Sequence, residues 1–230
     1  MKLSLFNTLS KRIAAAIAGS FIVIGLSGCS SLTDDKTELP SIFSVFATLE
    51  SHGKTGAIFT VQDPKTPDAA PIRLTTNANL EAEKLETGQR YIIVYTNGDG
   101  YNPYIEGAID LMHVLKVGNG DVQIASKEEI NAMRAVAYTT VSCFRTGDYV
   151  NVELRVPTTS TPKAFNLYAD RATLDNPRPS LYLVYDVNST GLSSTTAYGS
   201  FNIAEVWDAP DCTGVTVTMA DNSVALFEKK

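Results

Sequence analysis

The chain has 230 residues, 44% of them hydrophobic, a formal net charge of −6 and three cysteines. An acidic chain without a run of Lys and Arg meets a polyanion with net repulsion, which argues against a nucleic-acid partner. The apolar content is ample for buried cores, and the length allows one large or two small domains.

Residues 1–28 read as a lipoprotein signal peptide. Lys2, Lys11 and Arg12 form a basic head and Ile13 to Leu26 an apolar stretch of 14 residues, short of the roughly 20 needed to span a bilayer as a helix. Leu26-Ser27-Gly28-Cys29 then has the form of a lipobox. Its cysteine is the expected site of a thioether-linked diacylglycerol and, after cleavage, of an N-acyl chain such as palmitate, so that the mature chain begins at Cys29. Two or more acyl chains give stable anchoring where one does not. The expected location is the cell envelope, at the outer membrane, with the periplasmic or surface-facing side left open. Removing residues 1–28 takes away three basic groups and no acidic ones, moving the charge from −6 to −9 over 202 residues. Residues 29–40 are polar, with Asp34, Asp35, Lys36 and Glu38, and read as a flexible tether.

From Ile42 onward apolar residues recur with period two, so the fold class is all-β. Residues 41–125 are expected to form a small barrel. Phe43, Val45 and Ala47 alternate with Ser44, Phe46 and Thr48. A turn at His52-Gly53-Lys54-Thr55-Gly56 leads to a partner strand from Ala57 to Gln62. Prolines at 64 and 67 break the ladder, a short strand follows at Pro71 to Leu74, and Leu80 to Glu86 is expected to make one turn of helix. Tyr91 to Tyr95 form the next strand, ending at the hairpin signal Asn97-Gly98-Asp99-Gly100. A long return strand runs from Tyr104 to Val117. Five strands with a helical element between the third and fourth suit a barrel of the OB type.

Ser126-x-x-Glu129 is a capping box opening a short, charged connector over 126–134. Residues 135–230 then give about seven strands joined by turns rich in Pro, Ser and Thr, as in a β-sandwich. In the clearest of them Val150, Val152, Leu154 and Val156 face one way and Tyr149, Asn151, Glu153 and Arg155 the other, the pattern of a strand buried on one side. Phe201, Ile203 and Trp207 are expected to share a strand face turned to the core.

Chemistry-bearing residues are sparse. With Cys29 lipidated, Cys143 and Cys212 are left as a candidate disulfide in an exported chain, or as two small buried thiols that never meet. His52 lies in a turn. His113 falls on the side of its strand shared by Ile109, Leu111 and Leu115, as an inward-facing core histidine. The chain carries no nucleophile elbow, zinc-protease motif or phosphate loop, so no catalytic residue, metal ligand or cofactor is assigned. Asn97-Gly98-Asp99-Gly100 and Gly118-Asn119-Gly120-Asp121 lack the spacing of a calcium loop and read as hairpin turns. Asn188-Ser189-Thr190 matches a glycosylation acceptor by chance. Tyr91, Tyr95, Tyr101 and Tyr104 flank one hairpin and are candidates for stacking on an extended ligand. The same period-two pattern also suits Tyr91, Ile93 and Tyr95 as core or cross-strand neighbours.

The lipobox, the acidic tether, Gly88-Gln89-Arg90-Tyr91-Ile92-Ile93-Val94-Tyr95 in the barrel, and Gly147-Asp148-Tyr149-Val150-Asn151-Val152, Phe165-Asn166-Leu167, Leu181-Tyr182-Leu183-Val184-Tyr185-Asp186 and Ser200-Phe201-Asn202-Ile203 beyond it together resemble the NigD-like lipoproteins of Bacteroides and relatives. The resemblance spans nearly the whole chain and implies an N-terminal OB domain followed by a C-terminal β-sandwich. It brings no enzyme activity or ligand. The expected function is a lipid-anchored, non-enzymatic envelope protein that binds a protein or glycan or aids an assembly. The alternatives are a bacteriocin immunity protein acting at the membrane and a fimbria-like structural subunit.

Overall fold

A computed structural model describes residues 41–133, 138–158, 165–185 and 193–229. The signal peptide, Cys29, the tether and the Asn188 acceptor lie outside them. The first five strands, β1 (Phe43–Gly53), β2 (Gly56–Val61), β3 (Ile72–Thr76), β4 (Arg90–Asn97) and β5 (Gly107–Lys116), close into a barrel in the order β1-β2-β3-β5-β4. β3 and β5 run parallel and the other pairs antiparallel, the arrangement of an OB barrel. Alternate residues point inward, and Val45, Ala47, Leu49, Phe59, Leu74, Ile93 and Tyr95 form the core. Burying each large side chain contributes about 1.5–3 kcal/mol.

Three local expectations within the barrel are corrected. Leu80 to Glu86 forms turns, not helix: Leu80 donates its N–H to Gly53 O, Asn79 Oδ1 takes the N–H of Glu81, and Leu80 is buried against the barrel. A segment so short loses its intrahelical bonds to such local competitors. The return strand begins at Gly107 and not Tyr104, because Asn97, Asp99 and Asn102 side chains accept the N–H groups of Gly100, Asn102 and Tyr104 and hold the chain in a loop. His113 faces outward. A β-bulge sets Val94 opposite His113 but Tyr95 opposite Leu111, so the extra residue Met112 reverses the alternation and puts Val114, not His113, beside Ile93 in the core.

The second unit contains β6 (Gly118–Asp121), β7 (Gln123–Ala125), helix α1 (Lys127–Met133), β8 (Thr139–Thr146), β9 (Tyr149–Pro157), β10 (Phe165–Asp170), β11 (Ser180–Tyr185), β12 (Ser194–Asn202), the short helix α2 (Ala204–Trp207), β13 (Gly214–Thr218) and β14 (Val224–Glu228). Two sheets, β14-β13-β11-β10-β7 and β6-β12-β9-β8, face each other. Their core joins Val150, Val152, Leu154 and Val156 to Leu167, Leu181, Leu183, Val215 and Val217.

Gly118 to Asp121 is therefore a strand and not a hairpin turn. It runs parallel to β12, and β7 runs parallel to β10, so both belong to the sandwich and the barrel ends at Lys116, before residue 125. Glycine suits position 118 because a Cβ there would stand 3.3 Å from the ring of Phe165. The capping box forms as expected, Ser126 N–H reaching Glu129 Oε2 at 2.7 Å and Glu129 N–H reaching Ser126 Oγ at 3.3 Å. The helix is more than a solvated connector, since Ile130 is wholly buried against Ala125 and Val184. Trp207 lies on α2 and not on a strand, though in the core as expected.

The largest departure concerns β9. Asn151 and Glu153, on the face expected to meet solvent, are 0% and 2% exposed. The barrel covers that face: Phe46 of β1 meets the rings of Phe144 and Tyr198 edge-on at 5.7 and 6.3 Å, and Ile92, Val94 and Val117 join them. The four-stranded sheet is thus the middle layer, with the barrel on one side and the five-stranded sheet on the other. It also explains the unbroken apolar run of β4, buried on both faces. Among the described residues, no helix is long and apolar enough to cross a membrane.

Candidate functional site: the cleft between barrel and sandwich

Arg90 opens β4, where the barrel meets the middle sheet. Period two turns it away from the barrel core, on the same face as Ile92 and Val94, and so into the sandwich. Its side chain is 5% exposed. The guanidinium donates to Ser200 Oγ (3.0 Å), Thr48 Oγ1 (3.1 Å), Asn151 Oδ1 (3.0 Å) and Thr146 Oγ1 (3.4 Å), and lies 4.6 Å from the ring centroid of Tyr149. Asn151 completes the network by accepting from Ser200 Oγ at 2.8 Å and donating to Thr146 Oγ1 at 2.9 Å. One cation on the barrel is thereby fastened to three strands of the sandwich, β8, β9 and β12.

All these acceptors are neutral. Among the described residues no carboxylate pairs with Arg90. Burial lowers its pKa from 12.5 to about 10, with Tyr149 opposing the shift, so the group stays charged at neutral pH. Hydrogen bonds hold it without neutralising it, a costly arrangement in a low-dielectric setting.

Beside Arg90 a cleft of about 360 Å³ separates the units. Its barrel wall is Thr48, Thr60 and Gln62; its sandwich wall is Arg145, Tyr149 and Trp207. Gln62 shapes the rim by donating to Pro67 O and Ala69 O, and Gly147 N–H donates to Pro67 O at 2.8 Å, latching the proline-rich loop onto the β8–β9 turn. Gly147 has φ +53° and an added Cβ would stand 2.5 Å from Gln62 Oε1, so glycine suits this turn on both counts. Arg145, also buried, donates to Gly147 O and to Asp68 Oδ1, and stacks 4.1 Å above the indole of Trp207.

The residues singled out from the sequence lie mostly elsewhere. Tyr91 and Tyr95 are barrel core, 3% and 0% exposed, with hydroxyls tied to Glu86 and to Pro103 O. Tyr104 packs on the same core, its pKa raised to about 12 by burial, with Asp63 adding to the effect. Tyr101 is 83% exposed on its loop. The four form no common stacking face. Cys143 and Cys212 are free thiols and not a disulfide. Cys212 sits in the sandwich core and donates to Gly214 O, while burial pushes the Cys143 thiol up to about 12, which disfavours the thiolate. The cleft residues escaped notice because Arg90, Asn151 and Ser200 read as the polar phase of ordinary strands. The one available signal was an arginine heading the apolar run Tyr91 to Tyr95.

No family model matches the chain, and no curated protein matches it by sequence. Solved structures share its fold. A protein of unknown function from Bacteroides vulgatus aligns with a TM-score of 0.63 at 15% identity, covering 83% of this chain and 92% of that one. A NigD-like immunity protein from Bacteroides caccae aligns at 0.53 and 13% identity, covering 84% and 95%. A candidate lipoprotein from Bacteroides fragilis aligns at 0.55 and 10% identity, covering 83% and 99%. The barrel-plus-sandwich fold is thus shared with these structures over most of their length.

Proposed function

We propose that the chain is a NigD-like lipoprotein of the cell envelope, anchored through Cys29 at the outer membrane, that works by binding and not by turnover. The observation that carries the binding role is the cleft itself, a ligand-sized recess whose described walls offer cationic N–H groups and hydroxyls from both units. The fold shared with the candidate lipoprotein from Bacteroides fragilis supports the envelope setting, together with the lipobox. Because the fold begins after the tether, lipid and cleft act separately: one fixes the address, the other meets the partner, a protein or a glycan of the envelope.

Metabolic labelling with radioactive palmitate tests the anchor. The intact protein should carry label and sediment with membranes, and Cys29→Ala should abolish both; label persisting in that variant would overturn the assignment. A second reading is favoured by the NigD-like immunity protein among the shared folds: the chain sequesters a bacteriocin at the membrane. Deleting the gene should then sensitise cells to at least one bacteriocin, and unchanged killing across a broad panel would count against it.

A further inference from the structure

We propose that the cleft between barrel and sandwich is a binding site for a small carboxylate, with Arg90 as its cationic anchor and Thr48 as a neighbouring hydroxyl donor. The assignment deepens the binding role put forward above and rests on it.

Charge comes first. Arg90 brings a full positive charge to the cleft, and its described partners, Ser200, Thr48, Asn151 and Thr146, contribute no negative one. Buried charges are ordinarily matched by a counter-charge, and Arg90 is among the residues that line the cleft.

Donor geometry follows. A guanidinium has five N–H groups. The described bonds use Nε once, Nη2 twice and Nη1 once, which leaves one Nη1 N–H. The residue that Nη1 does reach, Thr48, lines the cleft, and its hydroxyl accepts from Arg90, so its own proton is left to donate. A guanidinium N–H and a hydroxyl therefore stand side by side, a two-point hold for one oxyanion.

The cleft already holds one such pair. Asp68, from the barrel loop, places its carboxylate on Arg145 above Trp207, so the same recess shows how a carboxylate is received, and Arg90 is the guanidinium left without one. Two features narrow the class. Asp68 and Asp148 also line the cleft and offset its two lining guanidiniums, so it suits a monoanion better than a dianionic phosphate. Tyr149 and Trp207 already carry Arg90 and Arg145 over their rings, so the ligand is held by its charge and not by stacking as a sugar would be. Burial, which lowers the Arg90 pKa to about 10, makes the charged form expensive, and an arriving anion relieves that cost. Occupancy should therefore raise thermal stability.

The test uses the intact protein as isolated from cells, with hippurate as the carboxylate probe, its neutral carboxamide as control and inorganic phosphate as the dianionic arm at matched ionic strength. Calorimetric titration should give saturable binding of hippurate with a rise in melting temperature, the carboxamide at least about tenfold weaker, and phosphate weaker than hippurate. Thr48→Val, at a half-buried position, should weaken hippurate about tenfold, and Arg90→Lys at least as much where it folds. Silence toward hippurate, equal binding of the carboxamide, tighter binding of phosphate, or an unweakened Thr48→Val would each overturn the site. Palmitate labelling of the same preparation separates the two proposals: label present with hippurate silent removes the site and leaves the anchor, and the converse does the opposite.

Discussion

Asn151→Ala is the sharpest probe of how the two units are joined. Asn151 is wholly buried on β9, accepts from the charged Arg90 at 3.0 Å and from Ser200 at 2.8 Å, and donates to Thr146 at 2.9 Å. Truncation leaves all three partners short of a bond in a site that water does not readily fill. A hydrogen bond to a charged group is worth about 1.5–3 kcal/mol and a neutral one about 1 kcal/mol, so the expected loss is about 3–5 kcal/mol. For a chain of this size that is a melting temperature lower by about 6–20 °C. Denaturant unfolding followed by far-UV circular dichroism gives the total. Fluorescence of Trp207, the single tryptophan, which lies under Arg145 at the cleft, reports the junction. Combining Asn151→Leu with Arg90→Met tests the cause: with both polar partners gone, the double variant should cost less than its singles together, by more than about 1 kcal/mol. A loss under about 1 kcal/mol for Asn151→Ala, or strictly additive singles, would refute the view that Arg90 and Asn151 act as one clamp.

Other outcomes follow from the same coordinates. Burial raises the pKa of Glu153, with Arg155 opposing, and its Oε2 finds no hydrogen-bond partner among the described residues; a carboxyl whose pKa is higher folded than unfolded favours the native state most below its unfolded value, and that advantage is lost as pH rises through the folded one. Unfolding measured from pH 4 to 8 should therefore show Glu153→Gln flattening the decline and at least matching the parent at neutral pH; an unchanged profile would refute the assignment. Gly147→Ala forces a Cβ into a left-handed turn against Gln62 Oε1 and should cost about 1–3 kcal/mol in thermal unfolding, whereas no loss would mean the loop latch is slack. Because Cys143 and Cys212 are free, reductant should leave the melting temperature unchanged and alkylation of the denatured protein should modify both; a mass two protons lower and resistant to alkylation would show a disulfide after all.

The two-unit, all-β plan was legible because alternation needs no knowledge of neighbours: a strand buried on one face writes period two into the chain, as in Val150, Val152, Leu154 and Val156, and turn residues mark where it stops. The helix cap at Ser126 and Glu129 was equally readable, being local. What failed was whatever depends on a second surface. His113 lost its inward place to one extra residue at Met112, because a bulge reverses every side chain beyond it while leaving composition untouched. Gly118 to Asp121 looked like a turn and is a strand, since its parallel partner lies some eighty residues away on β12 and glycine there answers to Phe165.

Sequence alone therefore determined the secondary structure class, the two cores and the acidic character of the chain, all set by local periodicity and composition. Tertiary structure decided the site. Arg90, Asn151 and Ser200 carry no signal of their own on their strands, and they become a buried, charged cluster at the edge of a cleft because the barrel docks on the polar face of β9. That docking turns a face written for solvent into an interior, where the charge of Arg90 finds no carboxylate partner among the described residues.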